Sequence, residues 1–276
     1  AGIVGTVIGF PLDLLKTRMQ TAAAASNTNG GSPNALSTAY RIVRNEGIMS
    51  MYRGIAPPLI SLSIINTMSF TSYSYFREEV FRGKNGWDIR NSLAGMAGAP
   101  FFGIITTPEN FIKTQMQLDN VQRKRFRSSY HCASTILREY GNPTILYTGH
   151  VVNSIREGAF MGAYFFAYEG LREEFLNRAN MNINTAVPIA GGCAGAFAWF
   201  FSFPLDCIRA GIQGRDPGKK SKKAVTIFRE LILKRGIVGL YSGVGPSIAR
   251  AFLVSGSRFS AYETALWLLR GGRDNK

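Results

Sequence analysis

Three apolar runs of this chain each lead into a proline that is followed by a more polar stretch. The runs span residues 3–10, 101–107 and 196–203 and precede Pro11, Pro108 and Pro204. Each proline therefore falls inside a long helix, where it removes a backbone hydrogen-bond donor and bends the helix axis. The pattern predicts three long helices of membrane length, each kinked at its proline.

The ten residues that begin at each proline are copies of one motif. They span residues 11–20, 108–117 and 204–213, so the prolines are 97 and then 96 residues apart. Each proline is followed five residues later by a cation and nine residues later by a glutamine. A fixed internal period of this kind indicates that the chain consists of three copies of one structural unit.

Each motif also places a polar residue two positions after the proline and a base three positions further on. The pairs are Asp13 with Lys16, Asn110 with Lys113, and Asp206 with Arg209. Residues three apart lie on the same face of a helix. They either pair locally on three unrelated surfaces or form a ring in which the acid of one repeat pairs with the base of the next.

The tripled motif resembles the signature of the mitochondrial carrier family, Pro-x-acid-x-x-base once per repeat, and the resemblance covers essentially the whole chain. It implies an all-α membrane protein with six transmembrane helices in three pseudo-symmetric repeats around a central cavity, plus short amphipathic helices on the matrix side. It also implies that the charged ring closes the cavity on the matrix side. The residues that match this matrix gate and its bracing glutamines are Asp13, Lys16, Gln20, Asn110, Lys113, Gln117, Asp206, Arg209 and Gln213.

Asn110 departs from the family pattern because repeat two lacks the acid at this position. One of the three ion pairs should then be missing or replaced by an amide hydrogen bond. We expect a weaker gate as a result.

The 276 residues divide into repeats at approximately 1–84, 85–180 and 181–276. We expect a single carrier domain, since a lone helix pair could not bury its polar face. The pattern predicts an amphipathic helix at 35–45 and long helices near 89–117, 149–178, 186–213 and 243–270. Alignment of small residues before the three prolines indicates that the chain as given begins inside its first helix.

The apolar runs alone leave a soluble helical protein as an alternative, because no window holds twenty uninterrupted apolar residues. The polar interruptions, however, recur at matched places in the three repeats. This is typical of membrane helices that line a water-filled cavity with one face.

The formal net charge of +15 raises the possibility of nucleic-acid binding. The bases are spread along the chain, and no helix-turn-helix, zinc or RNA-binding signature accompanies them, so we expect no nucleic-acid partner. Basic clusters at 123–125 and 219–223 fall in predicted loops, which favours the negative side of a membrane and anionic headgroups. The three cysteines have no CxxC spacing, and the sequence predicts neither a metal site nor a cofactor.

An aromatic-x-glycine turn precedes each even-numbered transmembrane helix. In the carrier family such turns bind cardiolipin phosphates, since free backbone N–H groups at a helix N-terminus attract anions. The alternative is a turn with an interfacial aromatic anchor. The residues that match the lipid-binding position are Arg53, Gly54, Gly149 and Gly243.

The far ends of the same helices carry a second family motif, aromatic-acid-x-x-base, which by resemblance forms a cytoplasmic gate. Its residues are Ser74, Arg77, Glu169, Arg172 and Glu263, with Leu266 where the third base would stand. If each acid pairs with the base of the following repeat, Glu169 faces Leu266 and Glu263 pairs with Arg77. At most one full ion pair then forms, and it contributes about 1 kcal/mol in a wet cavity.

Midway along the even-numbered helices the sequence places ionisable side chains at membrane depth, which are costly there and usually functional. By resemblance these positions are the substrate contact points. They are Ser61, Arg156 and Arg250, with Glu157 beside Arg156 and Asn66 near Ser61. An adjacent arginine and acid resemble carriers of amino acids and related zwitterions, because arginine binds a carboxylate through two hydrogen bonds while the acid accepts an ammonium group. Mutual structural pairing of these charges is the alternative.

The sequence therefore predicts a carrier of the mitochondrial inner membrane that moves a small zwitterionic or carboxylate metabolite, such as an amino acid or carnitine, by alternating access. No catalytic triad, phosphate loop or metal constellation points to an enzyme. Uncharged residues stand where the family motifs have charged ones at Asn110, Ser74 and Leu266, and this motivates an alternative. In that reading the chain is a carrier-fold subunit of a larger inner-membrane complex whose transport is reduced or lost.

Overall fold

The computed structural model describes residues 2–25, 35–122, 125–215 and 223–254, and these are helical with short connecting turns. The helices are α1 (Gly2–Ala25), α2 (Ala35–Glu46), α3 (Ala56–Tyr75), α4 (Ile89–Ala97), α5 (Ala99–Gln122), α6 (Ser129–Tyr140), α7 (His150–Glu173), α8 (Ile183–Gln213), α9 (Ala224–Gly239) and α10 (residues 244–254). The three motif prolines lie inside α1, α5 and α8.

The long helix predicted near 89–117 is two helices, α4 and α5, which meet at Gly98. Pro100 lies two residues after this junction and has no N–H to donate to the carbonyl of the preceding turn. The amide of Phe101 bonds instead to the carbonyl of Gly98. The helix predicted at 243–270 is described only as far as residue 254.

A threefold arrangement is visible where the second long helix of each repeat begins. These helices, α3, α7 and α10, each start against the motif helix of the next repeat. Gly54, Gly149 and Gly243 have φ angles of 85°, 79° and 90°, which favour glycine. A Cβ atom on Gly54 would lie 3.3 Å from Met116 of α5, and one on Gly149 would lie 3.2 Å from Ile212 of α8. A Cβ atom on Gly243 would lie 3.2 Å from the carbonyl oxygen of Lys16 in α1, which closes the cycle.

Gly243→Ala is expected to destabilise the protein by about 1–3 kcal/mol, because alanine is strained at this φ and its methyl group presses on the backbone of α1. The measurement is the thermal unfolding midpoint of the purified protein in detergent. Gly245→Ala is the matched control, since a Cβ atom there meets no atom within 4 Å. Equal midpoints for the two variants would contradict the proposed contact.

The amphipathic helices α2, α6 and α9 repeat a second threefold contact, each packing on the motif helix of its own repeat. Ile42 of α2 packs against Leu14 and Leu15. Ile136 of α6 joins Phe111 and Met116, and Leu231 of α9 joins Cys207 and Ile208 in corresponding clusters. Burying each such side chain contributes about 1.5–3 kcal/mol, so these helices hold the motif segments in place.

Cys132 belongs to the second of these clusters and is completely buried. Burial raises the pKa of its thiol to about 12. The thiol therefore stays protonated at neutral pH and packs as a small apolar group.

The outward face of the bundle exposes large apolar side chains. They include Ile60, Ile64, Phe101, Val151, Ile155 and Phe201. Among the described residues, two helical stretches are long and apolar enough to cross a membrane by length and composition. They are Thr185–Gln213 in α8 and Ile237–Val254, which runs from the end of α9, after the non-helical residue Gly236, through α10. The pair Ile48–Ser61 and Ile64–Val80, bent by 49°, adds a third if it is one span.

Candidate functional site

A cavity of about 350 Å³ lies between the helices, and both charged and aromatic side chains line it. Its charged lining consists of Asp13, Glu109, Lys113, Arg156, Glu157 and Arg250. Ser61 and Asn66 add neutral polar groups, and Phe160, Tyr164 and Trp199 add aromatic faces. All five predicted substrate contacts therefore line one cavity.

Among the described residues no group of three or more His, Cys, Asp or Glu side chains could hold a metal ion.

Two ion pairs between different repeats lie at the end of this cavity where the sequence predicts the matrix gate. Lys113 Nζ lies 2.6 Å from Asp13 Oδ2, which joins repeats one and two. Lys16 Nζ lies 2.6 Å from Asp206 Oδ2, which joins repeats one and three. In both cases the acid of one repeat meets the base of the next in cyclic order, as a ring requires.

The third position of the ring has no pair between repeats. Arg209 Nη2 binds Asp206 Oδ1 of its own helix at 3.1 Å. The Asn110 amide donates to Asn153 Oδ1 at 3.3 Å and makes no hydrogen bond with Arg209. Of the two expected alternatives, the described structure shows a missing pair rather than an amide bond to Arg209.

The three motif glutamines differ in their contacts. Gln20 Nε2 donates to Asp206 Oδ2 at 2.8 Å and so braces the Lys16 pair. Gln213 accepts from Arg209 at 3.5 Å and donates to the Thr148 carbonyl at 3.3 Å. Gln117 is fully buried, and neither its amide nitrogen nor its oxygen has a hydrogen-bond partner among the described residues.

Arg156 connects the cavity to this ring. Its Nη2 lies 3.3 Å from Glu157 Oε1, and its Nε lies 3.5 Å from Asp206 Oδ1. Its guanidinium also lies 5.7 Å from the centroid of the Trp199 ring, on which Lys16 Nζ rests at 3.6 Å. A cation over an aromatic face is attracted by the ring electrons, so Trp199 stabilises both positive groups.

Arg250 of repeat three likewise lines the cavity and contacts a carboxylate of the ring. Its Nε lies 2.7 Å from Asp13 Oδ1, the carboxylate that also binds Lys113. The sequence identified Arg250 only as a cavity residue and did not predict this contact. Each of the two cavity arginines is therefore paired with a carboxylate of the ring.

The sequence analysis missed several residues of the cavity wall, among them Glu109 and Trp199. Glu109 follows Pro108 directly and accepts a hydrogen bond from Ser61 Oγ at 2.5 Å. The available signal was an acid beside the vacant position at Asn110. For Trp199 the available signal was a tryptophan one turn before the Pro204 motif, in a helix that begins with small residues.

At the predicted cytoplasmic gate, Glu169 has partners that the sequence did not predict. Glu169 was expected to face Leu266, yet its Oε2 lies 3.6 Å from Arg77 and 3.7 Å from Arg172. Tyr73 also donates to Glu169 Oε1 at 3.3 Å. The partner of Glu169 is thus the base of the preceding repeat, because α3 and α7 meet here through the Tyr73–Phe165 ring stack. Ser74 is exposed, and Glu263 and Leu266 lie outside the described residues.

Arg53, which precedes the first glycine turn, is engaged with protein groups. Its guanidinium lies 3.6 Å from Asp119 Oδ2 and donates to the carbonyl oxygen of Phe126. The sequence match had placed Arg53 at a lipid contact. In the structure this side chain ties the start of α3 to the end of α5.

Bundled helices with apolar exteriors, built in threefold fashion around a charged cavity, define a membrane transporter for small solutes. Comparison with known proteins agrees: the sequence model of the family described as mitochondrial carrier protein matches residues 1–84, 87–179 and 184–272. The chain belongs to the mitochondrial carrier family. Members of this family are transporters rather than enzymes, and the six-span pattern of three repeats agrees with the described helices.

Several curated relatives align over almost the full chain. The mitochondrial arginine transporter BAC2 of Arabidopsis thaliana is 31% identical, covering 96% of this chain and 87% of the relative. The mitochondrial carnitine/acylcarnitine carrier protein of Homo sapiens is 28% identical, covering 99% and 93%. Solute carrier family 25 member 45 of Mus musculus is 29% identical, covering 98% and 96%.

Proposed function

We propose that this chain carries a small zwitterion, an amino acid or a carnitine-like compound, across the mitochondrial inner membrane by alternating access. The observation that carries the proposal is the adjacent pair Arg156 and Glu157, both buried and both lining the cavity. Opposite charges at membrane depth are retained where they bind a ligand of matching charges.

The chemistry of this pair fits a carboxylate and an ammonium group a few ångströms apart. The planar guanidinium of Arg156 offers two parallel donors to a carboxylate. Glu157 lies 3.3 Å from Arg156, and it attracts a cationic group either by accepting hydrogen bonds from an amino-acid ammonium or by charge alone from the trimethylammonium group of carnitine. Arginine and carnitine, named in two of the relatives, both carry a carboxylate and a positively charged group.

The ion pairs suggest how binding leads to opening on the matrix side. Arg156 contacts Asp206 and Arg250 contacts Asp13, so both arginines help to neutralise the ring. A substrate carboxylate that binds these arginines competes with Asp206 and Asp13 for them. The ring is weakened while substrate is bound, which is the differential binding that alternating access requires.

The proposal is tested by uptake of labelled arginine, lysine, ornithine and carnitine into proteoliposomes that contain the purified protein. We expect uptake of at least one of them above that of protein-free liposomes. Unlabelled agmatine, which is arginine without its carboxylate, should compete about tenfold or more weakly than arginine, since it forms no bidentate pair with Arg156. Equal competition by agmatine and arginine would contradict the carboxylate contact.

A carrier-fold subunit of a larger complex is the second candidate, and the missing pair between Asn110 and Arg209 favours it. A ring with two ion pairs in place of three fits a protein that no longer alternates between open and closed states. Absence of uptake for every compound, together with stable co-purification in an inner-membrane complex, would support this second function.

Cardiolipin is the lipid that we propose for the three glycine turns. The support is their left-handed glycines at helix starts, where backbone N–H groups remain available to a phosphate. The engagement of Arg53 with Asp119 leaves the backbone as the main anion-binding element at the first turn.

A further inference from the structure

Glu109 is an acid that the ring does not use. It occupies the position directly after Pro108, where the other two repeats have Leu12 and Leu205. One residue turns a helix by about 100°, so an acid at this position points away from the direction that Asp13 and Asp206 take. Glu109 lines the cavity, and its carboxylate is held by the Ser61 hydroxyl of α3.

The charged lining of the cavity leaves Glu109 without an ionic partner. Asp13 is paired with Lys113 and Arg250, and Glu157 is paired with Arg156. Among the described acids of the cavity wall, Glu109 is the one with no base within 4.0 Å. Ser61 supplies a hydrogen bond at 2.5 Å but no positive charge.

The nearest base along the helix, Lys113, is paired with a different acid. Lys113 lies one turn further along α5, where it could share a face with Glu109, but its Nζ is at 2.6 Å from Asp13. Glu157 lines the same cavity, and its own partner is Arg156. The bases of the cavity wall are therefore paired with Asp13 and Glu157, and Glu109 keeps only the Ser61 hydroxyl, an arrangement that attracts positive charge from solution.

We propose that Glu109 binds a second cationic group of the substrate and thereby selects amino acids with a positively charged side chain over zwitterions with a single cationic centre. This inference rests on the proposed function, in which Arg156 takes the carboxylate and Glu157 the ammonium group. Glu109 lies on α5 and Glu157 on α7, so the two acids contact a substrate from different helices. Ser61 orients the Glu109 carboxylate for this contact.

Glu109→Gln tests the inference because glutamine keeps the size of the side chain and an oxygen that accepts from Ser61, while it removes the charge. The two probes are labelled arginine and labelled citrulline, which have similar shapes but a charged and a neutral side chain. We expect the ratio of arginine to citrulline initial uptake rates to fall by about tenfold or more, the size of one charge-assisted hydrogen bond. Citrulline uptake should change by less than about twofold.

The matched control is Glu139→Gln on the exposed side of α6, where the acid pairs with Arg125 far from the cavity lining. This variant should leave the ratio unchanged. An equal loss of arginine and citrulline uptake in Glu109→Gln would overturn the inference, since it would indicate a structural role. Wild-type uptake of carnitine or citrulline at the rate of arginine would also overturn it, although zwitterion transport itself would stand.

A binding measurement separates the inference from transport. Arginine should raise the unfolding temperature of the purified wild-type protein more than citrulline does, and Glu109→Gln should remove that difference. If uptake is absent but this difference is present, the transport proposal fails and the role of Glu109 holds. If arginine and citrulline stabilise the wild-type protein equally, the role of Glu109 is excluded.

Discussion

Asp206→Asn is expected to lower the free energy of unfolding by about 3–5 kcal/mol and to abolish uptake. Asp206 is completely buried and contacts Lys16, Arg209 and Arg156 at 2.6, 3.1 and 3.5 Å. Asparagine has nearly the same shape, so packing is preserved while three buried cations lose their common anion. The expected fall in the unfolding temperature is on the order of 10 °C for a chain of this size.

Asp88→Asn is the matched control for this substitution. Asp88 caps α4 by accepting from the Arg90 amide at 3.0 Å, and asparagine caps a helix about as well as aspartate. Addition of Lys16→Met to Asp206→Asn removes one of the stranded cations and should recover part of the stability without restoring uptake. Equal unfolding temperatures for Asp206→Asn and Asp88→Asn would contradict the importance of the buried charge.

The placement of Asp206 could be predicted from the sequence because the motif repeats at a nearly constant period. Three equivalent helices arranged in a cycle place the acid of one motif beside the base of the next, and Asp13 with Lys113 lies at 2.6 Å. The prolines inside the three motif helices, the amphipathic helix α2 and the missing acid at Asn110 follow from the same comparison of repeats. These features depend on local residue types and on periodicity, which a single sequence records.

The contacts of the cavity arginines could not be predicted in this way. Arg250 and Arg156 reach the ring carboxylates because their side chains are long and their helices lie close to the motif helices that carry Asp13 and Asp206. Helix separation and side-chain direction are tertiary properties, and a spacing of residues along one helix does not contain them. The contact of Glu169 with Arg77 of the preceding repeat could not be predicted for the same reason, since the proximity of α3 and α7 decides it.

Glu109 illustrates a different limit of the sequence comparison. Alignment of the three motifs directs attention to the position of Asn110, where an acid is missing, rather than to its neighbour. The cavity lining shows that repeat two has an acid one residue earlier, on a face that meets Ser61. Only the three-dimensional surroundings therefore show that repeat two differs from the other repeats at this neighbouring position as well.

Arg156→Ala is expected to lower the ratio kcat/KM for uptake by roughly 10–100-fold, for arginine and for carnitine alike. The reason is that the carboxylate is common to both compounds and loses a charge-assisted, two-point contact in the variant. Stability should fall less than in Asp206→Asn, because Asp206 keeps Lys16 and Arg209 as partners. The measurements are initial uptake rates over a range of substrate concentrations and the unfolding temperature of each variant.

Two further variants separate carboxylate binding from a general effect of positive charge. Arg156→Lys keeps the charge but offers no planar pair of donors, so it should restore uptake only in part. Arg178→Ala removes an exposed arginine that pairs with Glu174 at the end of α7, and it should leave uptake unchanged. Full uptake by Arg156→Ala would exclude Arg156 as the carboxylate contact. An equal loss in Arg178→Ala would assign the effect to the overall charge of the protein instead.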